Sequence, residues 1–233
     1  MVNTEIKYPK LVNDKGSLTE VEKQILGNFI VLSGGNVLLE LGLYKAVTTK
    51  FICHFLEINK IEGKLYAFDV PDVVESVSND PEIKNFINKG ILELVPGWLP
   101  HSLSNWIENH PGVPIDFVLD DALHDYPSVY GELKLIWPRL AKSGFILCHD
   151  YAGKFPGVVY AVNKFASRHN ACMVPMLSSP KTQAAGLGSV LVALRKREFP
   201  GKLSTMISNE YYLWRLLLAK TWLWKKVLRP MVR

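Results

Sequence analysis

The sequence predicts an α/β domain: a doubly wound, mostly parallel sheet of seven strands, with a helical cover at the N-terminus and a basic amphipathic helix at the C-terminus. Three observations carry that reading. Short apolar runs with β-branched or aromatic content recur along residues 37–194, each short enough to be a buried strand. Between them lie segments with helical spacing, and strands that alternate with helices assemble into parallel sheets through right-handed crossovers. Several runs stop abruptly in acidic or histidine residues. Their carboxyl ends share one sheet edge, so polar groups gather where open α/β sheets bind ligands.

Taken in order, Ser17 and Glu20 stand three apart before Val21, Ile25, Leu26, Phe29 and Ile30, a capped amphipathic helix stopped by Gly34 and Gly35. This is the cover, residues 1–35, and the domain proper occupies 36–200. Its first strand is Val37 to Leu41, its first helix runs from Val47 to Ile58, and its second strand is Lys64 to Phe68. Asp80 and Pro81 open a short helix through Ile87, Ile91 to Val95 is the third strand, and Leu103 to Ile107 makes a small helix. Ile115 to Leu119 and Phe145 to Cys148 are the fourth and fifth strands, joined by a helix from Ser128 to Leu140. Ala152 to Gly157 reads as a lid loop, and Val158, Ala161, Val162 and Phe165 then show helical spacing. Ala171 to Met176 and Ser189 to Leu194 complete the strands, and a tail occupies 201–233.

The formal charge of +5 is unevenly placed. Six of the 27 basic residues fall from Tyr211 onward, where there is no acid, which leaves 21 basic against 22 acidic in the rest. A near-neutral body with no basic stripe argues against nucleic acid as a partner. Cys53, Cys148 and Cys172 lack metal-ligand spacing and sit in apolar runs, as buried reduced thiols do in a reducing compartment. The first residues contain no signal-like apolar core, so the expected location is cytoplasmic. The tail mixes tryptophans and leucines with Arg215, Lys220, Lys225, Lys226, Arg229 and Arg233. Two readings stand for it. One is a helix lying in an anionic membrane interface, which makes the protein membrane-peripheral; the other is a helix packed on the domain or, by self-association, on a second subunit.

The chemistry is concentrated at strand ends. ELGLYKAVTT, Glu40 to Thr49, couples an acid, a glycine turn and hydroxyls at a helix start, so that backbone and helix N-terminus can approach a nucleotide-type ligand. Only Gly42 of a GxGxxG fingerprint is present, which counts against an NAD-dependent oxidoreductase. Asp69 ends the second strand where an acid accepts hydrogen bonds from ribose hydroxyls, with a capping role as the competing reading. Trp98, after Gly97, either stacks on a bound base or is a half-buried ring at the sheet end. The richest edge combines IDFVLDDALHDY, residues 115–126, with His149, Asp150 and Tyr151: adjacent parallel strands bring Asp121, His124, His149 and Asp150 to one crevice.

In this pattern the chain resembles the class I S-adenosylmethionine-dependent methyltransferases, whose sheet is Rossmann-like. Within them it is similar to the branch of macrocin O-methyltransferase and its sugar-modifying relatives, together with the cephalosporin-hydroxylase-like group. The resemblance spans residues 36–195 and rests on ELGLYKAVTT, Phe68 to Pro71, Gly97 and Trp98, IDFVLDDALHDY, WPRLAKSG at 137–144, and His149 to Tyr151. It implies an O-methyltransferase that binds S-adenosylmethionine through Glu40, Gly42, Tyr44, Thr48, Asp69, Gly97 and Trp98. The implied acceptor is a hydroxyl on a sugar or other small molecule. The resemblance also implies Mg²⁺ on Asp121 and Asp150, with His149 as a third ligand through nitrogen and His124 as general base. Asp121, His124 and His149 are thus the implied catalytic set. The chain departs from the family pattern at Ala46, which replaces a glycine, and at His149, which replaces the first of two acids. A methyl at Ala46 crowds the cofactor's methionine moiety if that residue has positive φ. The altered loop supports the alternative reading, a catalytically inactive Rossmann-like protein that binds a nucleotide or S-adenosylmethionine.

Overall fold

The computed structural model describes residues 5–9, 18–152, 154–177 and 190–197. Thr19 opens α1 (Glu20–Ser33) with a reciprocal capping box: the Glu22 N–H donates to the Thr19 hydroxyl and the Thr19 N–H donates to the Glu22 carboxylate. The cap therefore uses Thr19 with Glu22 and not the expected Ser17 with Glu20. Both pairs have the same spacing, and Ser17 lies outside the described residues. Gly34 ends the helix in the left-handed conformation, as expected. Leu26 and Ile30 are fully buried and join the core on one face of the sheet.

That sheet contains β1 (Val37–Leu41), β2 (Lys64–Asp69), β3 (Leu92–Pro96), β4 (Ile115–Asp120), β5 (Leu140–Cys148), β6 (Ala171–Leu177) and β7 (Val190–Lys196) in the order β3-β2-β1-β4-β5-β7-β6. β7 runs antiparallel to both its neighbours and the remaining pairs are parallel, so the expected seven-stranded, mostly parallel sheet is borne out. The chain winds outward from β1 to β3 and returns to β4 on the other side of β1. The carboxyl ends of β1 and β4 therefore flank the topological switch point.

Helices α2 (Val47–Asn59), α3 (Pro71–Ser78), α4 (Pro81–Asn88), α5 (His101–Asn109), α6 (Tyr126–Ile136) and α7 (Pro156–Arg168) complete the unit. Strand residues alternate between two apolar cores, as the pleat requires. Leu38, Leu65 and Phe117 meet Phe51, Phe55 and Phe86 on the α1–α2–α4 face. Leu39, Val118 and Ile146 meet Leu103, Leu133 and Phe165 on the α5–α6–α7 face.

Four expectations need correction. α3 was not anticipated; Pro71 at its start and Asp72 in its first turn are its local signals. α6 ends at Ile136 and not at Leu140, because Pro138 has no N–H to continue the helical ladder. Leu140 instead begins β5, paired with Ile115 ahead of an irregularity in register. Pro156 and Gly157 belong to α7 and not to a lid loop. Cys53 and Cys148 are buried as expected, but Cys172 is only partly so. The tail at 201–233 lies outside the described residues; among those described, no helix is long and apolar enough to cross a membrane.

Candidate active site

Backbone hydrogen bonds continue past the strands and stitch the post-strand loops to one another. The N–H groups of Gly97, Gly42, Asp121 and His149 donate to the carbonyls of Asp69, Phe68, Leu41 and Asp120, at 2.9 to 3.0 Å. Each loop along this edge is thereby held by its neighbour.

Above β1 and β2 lies a cleft of about 230 Å³ bordered by Gly42, Tyr44, Asp69, Gly97, Trp98 and the turn from Asp121 to Leu123. Five of the seven residues expected to hold the cofactor are on this border. Glu40 sits beneath it, 1% exposed, and Thr48 is half-buried in the first turn of α2. Val70, Val73, Leu99 and Leu123 also line the cleft. Sequence reasoning missed them because single apolar residues beside a strand end have no signature. Gly42 has φ +95°, and a Cβ there would lie 2.4 Å from the carbonyl oxygen of Asp121. Only glycine permits the β1 and β4 loops to approach so closely.

The Asp69 carboxylate holds the first loop: Oδ2 accepts from the N–H groups of Leu43 (2.8 Å) and Tyr44 (3.0 Å), and Oδ1 from that of Val70 (2.7 Å). Trp98 is 70% exposed, so it is not the half-buried ring of the second reading. Ala46 does adopt positive φ, +56°, but its methyl joins the core on the α2 face and does not border the cleft, so the expected crowding does not arise. Burial pushes the Glu40 pKa up to about 8, with Asp121 and Asp69 adding to the rise and Thr49 opposing it. Its Oε2 has no hydrogen-bond partner. At neutral pH this carboxyl is largely protonated and able to donate.

Beside the cleft, one ligand atom each from Asp121, His124 and Asp150 lie within 4.8 Å of one another. His124 Nε2 is 2.6 Å from Asp150 Oδ2, and His149 Nδ1 is 2.9 Å from Asp121 Oδ1 and 3.5 Å from Asp150 Oδ2. Asp150 has φ +56°, a conformation that costs a non-glycine residue about 1–2 kcal/mol and is kept where a site needs the side chain aimed. The His124 ring stacks on Phe155 at 4.5 Å. Gly157 in the first turn of α7 passes so close that a Cβ there would lie 2.4 Å from the His124 carbonyl oxygen. Two carboxylates and an imidazole nitrogen are a donor set that fits a divalent cation. The histidine in that set is His124, whereas His149 was the expected third ligand.

His149 lies deeper. Burial opposes its charge most strongly, yet the carboxylates of Asp121, Asp150 and Glu22 around it outweigh burial and raise its pKa well above the usual range. Burial likewise pushes Asp150 upward, but His149 and His124 prevail and its pKa is lowered. Glu22, 1% exposed, brings Oε1 to 3.8 Å from His149 Nε2. Sequence reasoning missed this residue, and the spacing from Thr19 to Glu22 was the signal that marked it as special. Below the cluster, burial raises the pKa values of Asp120 and Glu132; Asp120 raises that of Glu132 further, whereas at Asp120 Glu132 opposes the rise and Asp121 adds to it.

A family model described as a methyltransferase domain matches residues 39–151. No curated protein matches the sequence. Among solved structures, the O-methyltransferase from Bacillus cereus in complex with S-adenosylhomocysteine superposes with a TM-score of 0.62 at 14% identity, over 78% of this chain and 84% of that one. CalS11, a TDP-rhamnose 3'-O-methyltransferase of calicheamicin biosynthesis, gives 0.60 at 17% identity over 78% and 81%. An rRNA methylase from Streptococcus thermophilus gives 0.54 at 16% identity over 78% and 100%. At such identities the likeness is one of fold, and its acceptors range from sugars to RNA. Residues 39–151, which match a methyltransferase domain, contain every strand end described above, on a Rossmann-like sheet of the fold these solved structures share.

Proposed function

We propose that the protein transfers a methyl group from S-adenosylmethionine to a hydroxyl oxygen of a small molecule, a sugar or similar polyol, with Mg²⁺ at the acceptor. The observation that carries this reading is the grouping of Asp121, His124 and Asp150 directly beside the cleft that Gly42, Asp69 and Trp98 border. S-Adenosylmethionine supplies an electrophilic methyl group, and a divalent cation, when bound, supplies charge that orients and acidifies the acceptor hydroxyl. Gly42, Tyr44, Asp69, Gly97 and Trp98 bind the nucleoside end, while Glu40 and Thr48 support the loop from below. Asp121 and Asp150 would hold the cation, with His124 kept as base and not as a ligand. His124, aligned by its contact to Asp150, takes the hydroxyl proton as the oxygen–carbon bond forms and the carbon–sulfur bond breaks. His149 balances the charge of the two carboxylates and keeps them oriented.

A near-neutral body favours a small acceptor over RNA. Buried thiols at Cys53 and Cys148 suit a reducing, cytoplasmic setting. From their sequence, residues 201–233 form an appendage that engages either an anionic membrane surface or another protein surface. Flotation of the full chain with anionic vesicles, lost on truncation after Asn209, supports the first; loss of folding or of self-association on truncation supports the second.

The test of the main reading is calorimetry with S-adenosylhomocysteine, followed by methyl-transfer assays on a panel of hydroxyl acceptors with Mg²⁺ or EDTA. Micromolar binding and Mg²⁺-dependent transfer are expected. Absence of binding at millimolar ligand overturns the reading. Binding without transfer to any acceptor supports the inactive alternative, and full transfer in EDTA removes the metal from it.

A further inference from the structure

A larger cavity, about 470 Å³, lies between the edge strand β3 and α5, on the other side of Trp98 from the cofactor cleft. Its volume is that of a small-molecule site. The two cavities share only Gly97 and Trp98, and of the other residues proposed for methyl transfer none lines the larger one.

Its lining combines two buried polar groups lacking partners with an open ring face. Ser102 Oγ and Trp106 Nε1 belong to residues less than 10% exposed and have no hydrogen-bond partner. Unpaired buried polar groups are costly, so such a pair at one cavity calls for an explanation, and a ligand's hydroxyls supply it. The Asn105 and Asn109 side chains, one helical turn apart and both exposed, add amide donors and acceptors on the same rim. No lysine or arginine lines the cavity, and its carboxylate, Glu93, is already bound by Lys64 at 2.6 Å. His101 and His110 also line it, so among the described residues the cavity offers an anion imidazoles and no permanent cation.

The rings separate a sugar from a flat heterocycle. Trp106 is already stacked on His110 at 4.3 Å and takes the edge of Tyr66 at 4.8 Å, so it cannot close a sandwich around a base. The exposed face available is that of Trp98. A single indole face with neutral amides and hydroxyls around it matches a pyranose, which offers one C–H face and a ring of hydroxyls that both donate and accept.

We propose that the β3–α5 cavity binds a neutral glycosyl unit. The site shares Gly97 and Trp98 with the cofactor cleft but uses none of Asp121, His124 and Asp150, and it does not depend on the methyl-transfer reading. Saturation-transfer NMR on the full chain tests it, with maltose, cellobiose and N-acetylglucosamine as probes, adenosine and inorganic phosphate as comparisons, and each run with and without saturating S-adenosylhomocysteine. Transfer to at least one saccharide is expected, undiminished by S-adenosylhomocysteine and accompanied by a shift of the Trp106 indole N–H resonance. It should weaken roughly five-fold or more in the Asn105→Ala/Asn109→Ala double variant. Both positions are exposed on a helix, so circular dichroism should show the fold unchanged. The proposal is overturned if no saccharide shows transfer, if adenosine alone does, if S-adenosylhomocysteine displaces the saccharide, or if the folded double variant binds as well as the parent. Of these outcomes only displacement bears on whether the protein binds cofactor.

Discussion

At the ends of β1 and β2 the acids are used by the protein itself, whereas at the ends of β4 and β5 they face one another and two histidines. Asp69 holds three backbone N–H groups, and Glu40 is buried and neutralised by its surroundings. Asp121 and Asp150 instead meet His124 and His149 within hydrogen-bonding distance. The first half is thus a preformed loop that shapes a cleft by backbone geometry. The second is a charged cluster held ready for a reacting group. Gly42, pressed against the Asp121 carbonyl, is where the halves touch.

The largest expected effect separates these halves by function. Asp121→Asn and Asp150→Asn should each lower methyl transfer at least about 100-fold while S-adenosylhomocysteine affinity, read by calorimetry, changes little. If either variant loses cofactor affinity as steeply as turnover, the division between halves is wrong. Gly42→Ala should break the division, because its methyl must displace Asp121. We expect about 2–4 kcal/mol of lost stability, from overpacking and backbone strain together, with cofactor binding and transfer impaired in parallel. Unchanged transfer in a folded Gly42→Ala protein would show that the contact does not couple the two sides.

Asp69→Ala should weaken S-adenosylhomocysteine binding by about 1.5–3 kcal/mol. Since the carboxylate organises Leu43 and Tyr44, amide exchange in that loop should quicken even without ligand. Slow exchange with weakened binding would assign Asp69 to the ligand alone. The smallest effect concerns pH. The Glu40 pKa is raised from 4.5 to about 8, so between these values the folded state keeps a proton that the unfolded state has released. Its contribution is complete below about pH 4.5 and is lost as pH rises toward 8. Glu40→Gln, which cannot ionise, should shrink the fall in denaturation free energy between pH 5 and pH 8 by about 1 kcal/mol or more. Asp120 and Glu132, also raised, leave a residual slope of the same sign. An unchanged slope would mean that Glu40 is ionised in the folded protein.

Much of this was legible in the chain. The seven strands, the glycine stop at Gly34, the near-neutral body and the gathering of Asp121, His124, His149 and Asp150 on one edge depend on residues close in sequence and on the handedness of βαβ crossovers. Apolar spacing and strand-end chemistry record those directly. Boundaries were less legible: Leu140 suits a helix as well as a strand, and only Pro138 and the pairing with Ile115 decide. The meeting of Glu22 with His149 was left to the tertiary structure, as were the choice of His124 as the histidine beside the two carboxylates and the closing of the Asp69 carboxylate on its own loop. Each depends on the direction of a side chain at the end of an element, set here by the positive φ of Asp150, the approach of Gly157 to the His124 loop and the packing of α1 on the sheet. Such directions arise from contacts between residues far apart in the chain, for which no local pattern is selected.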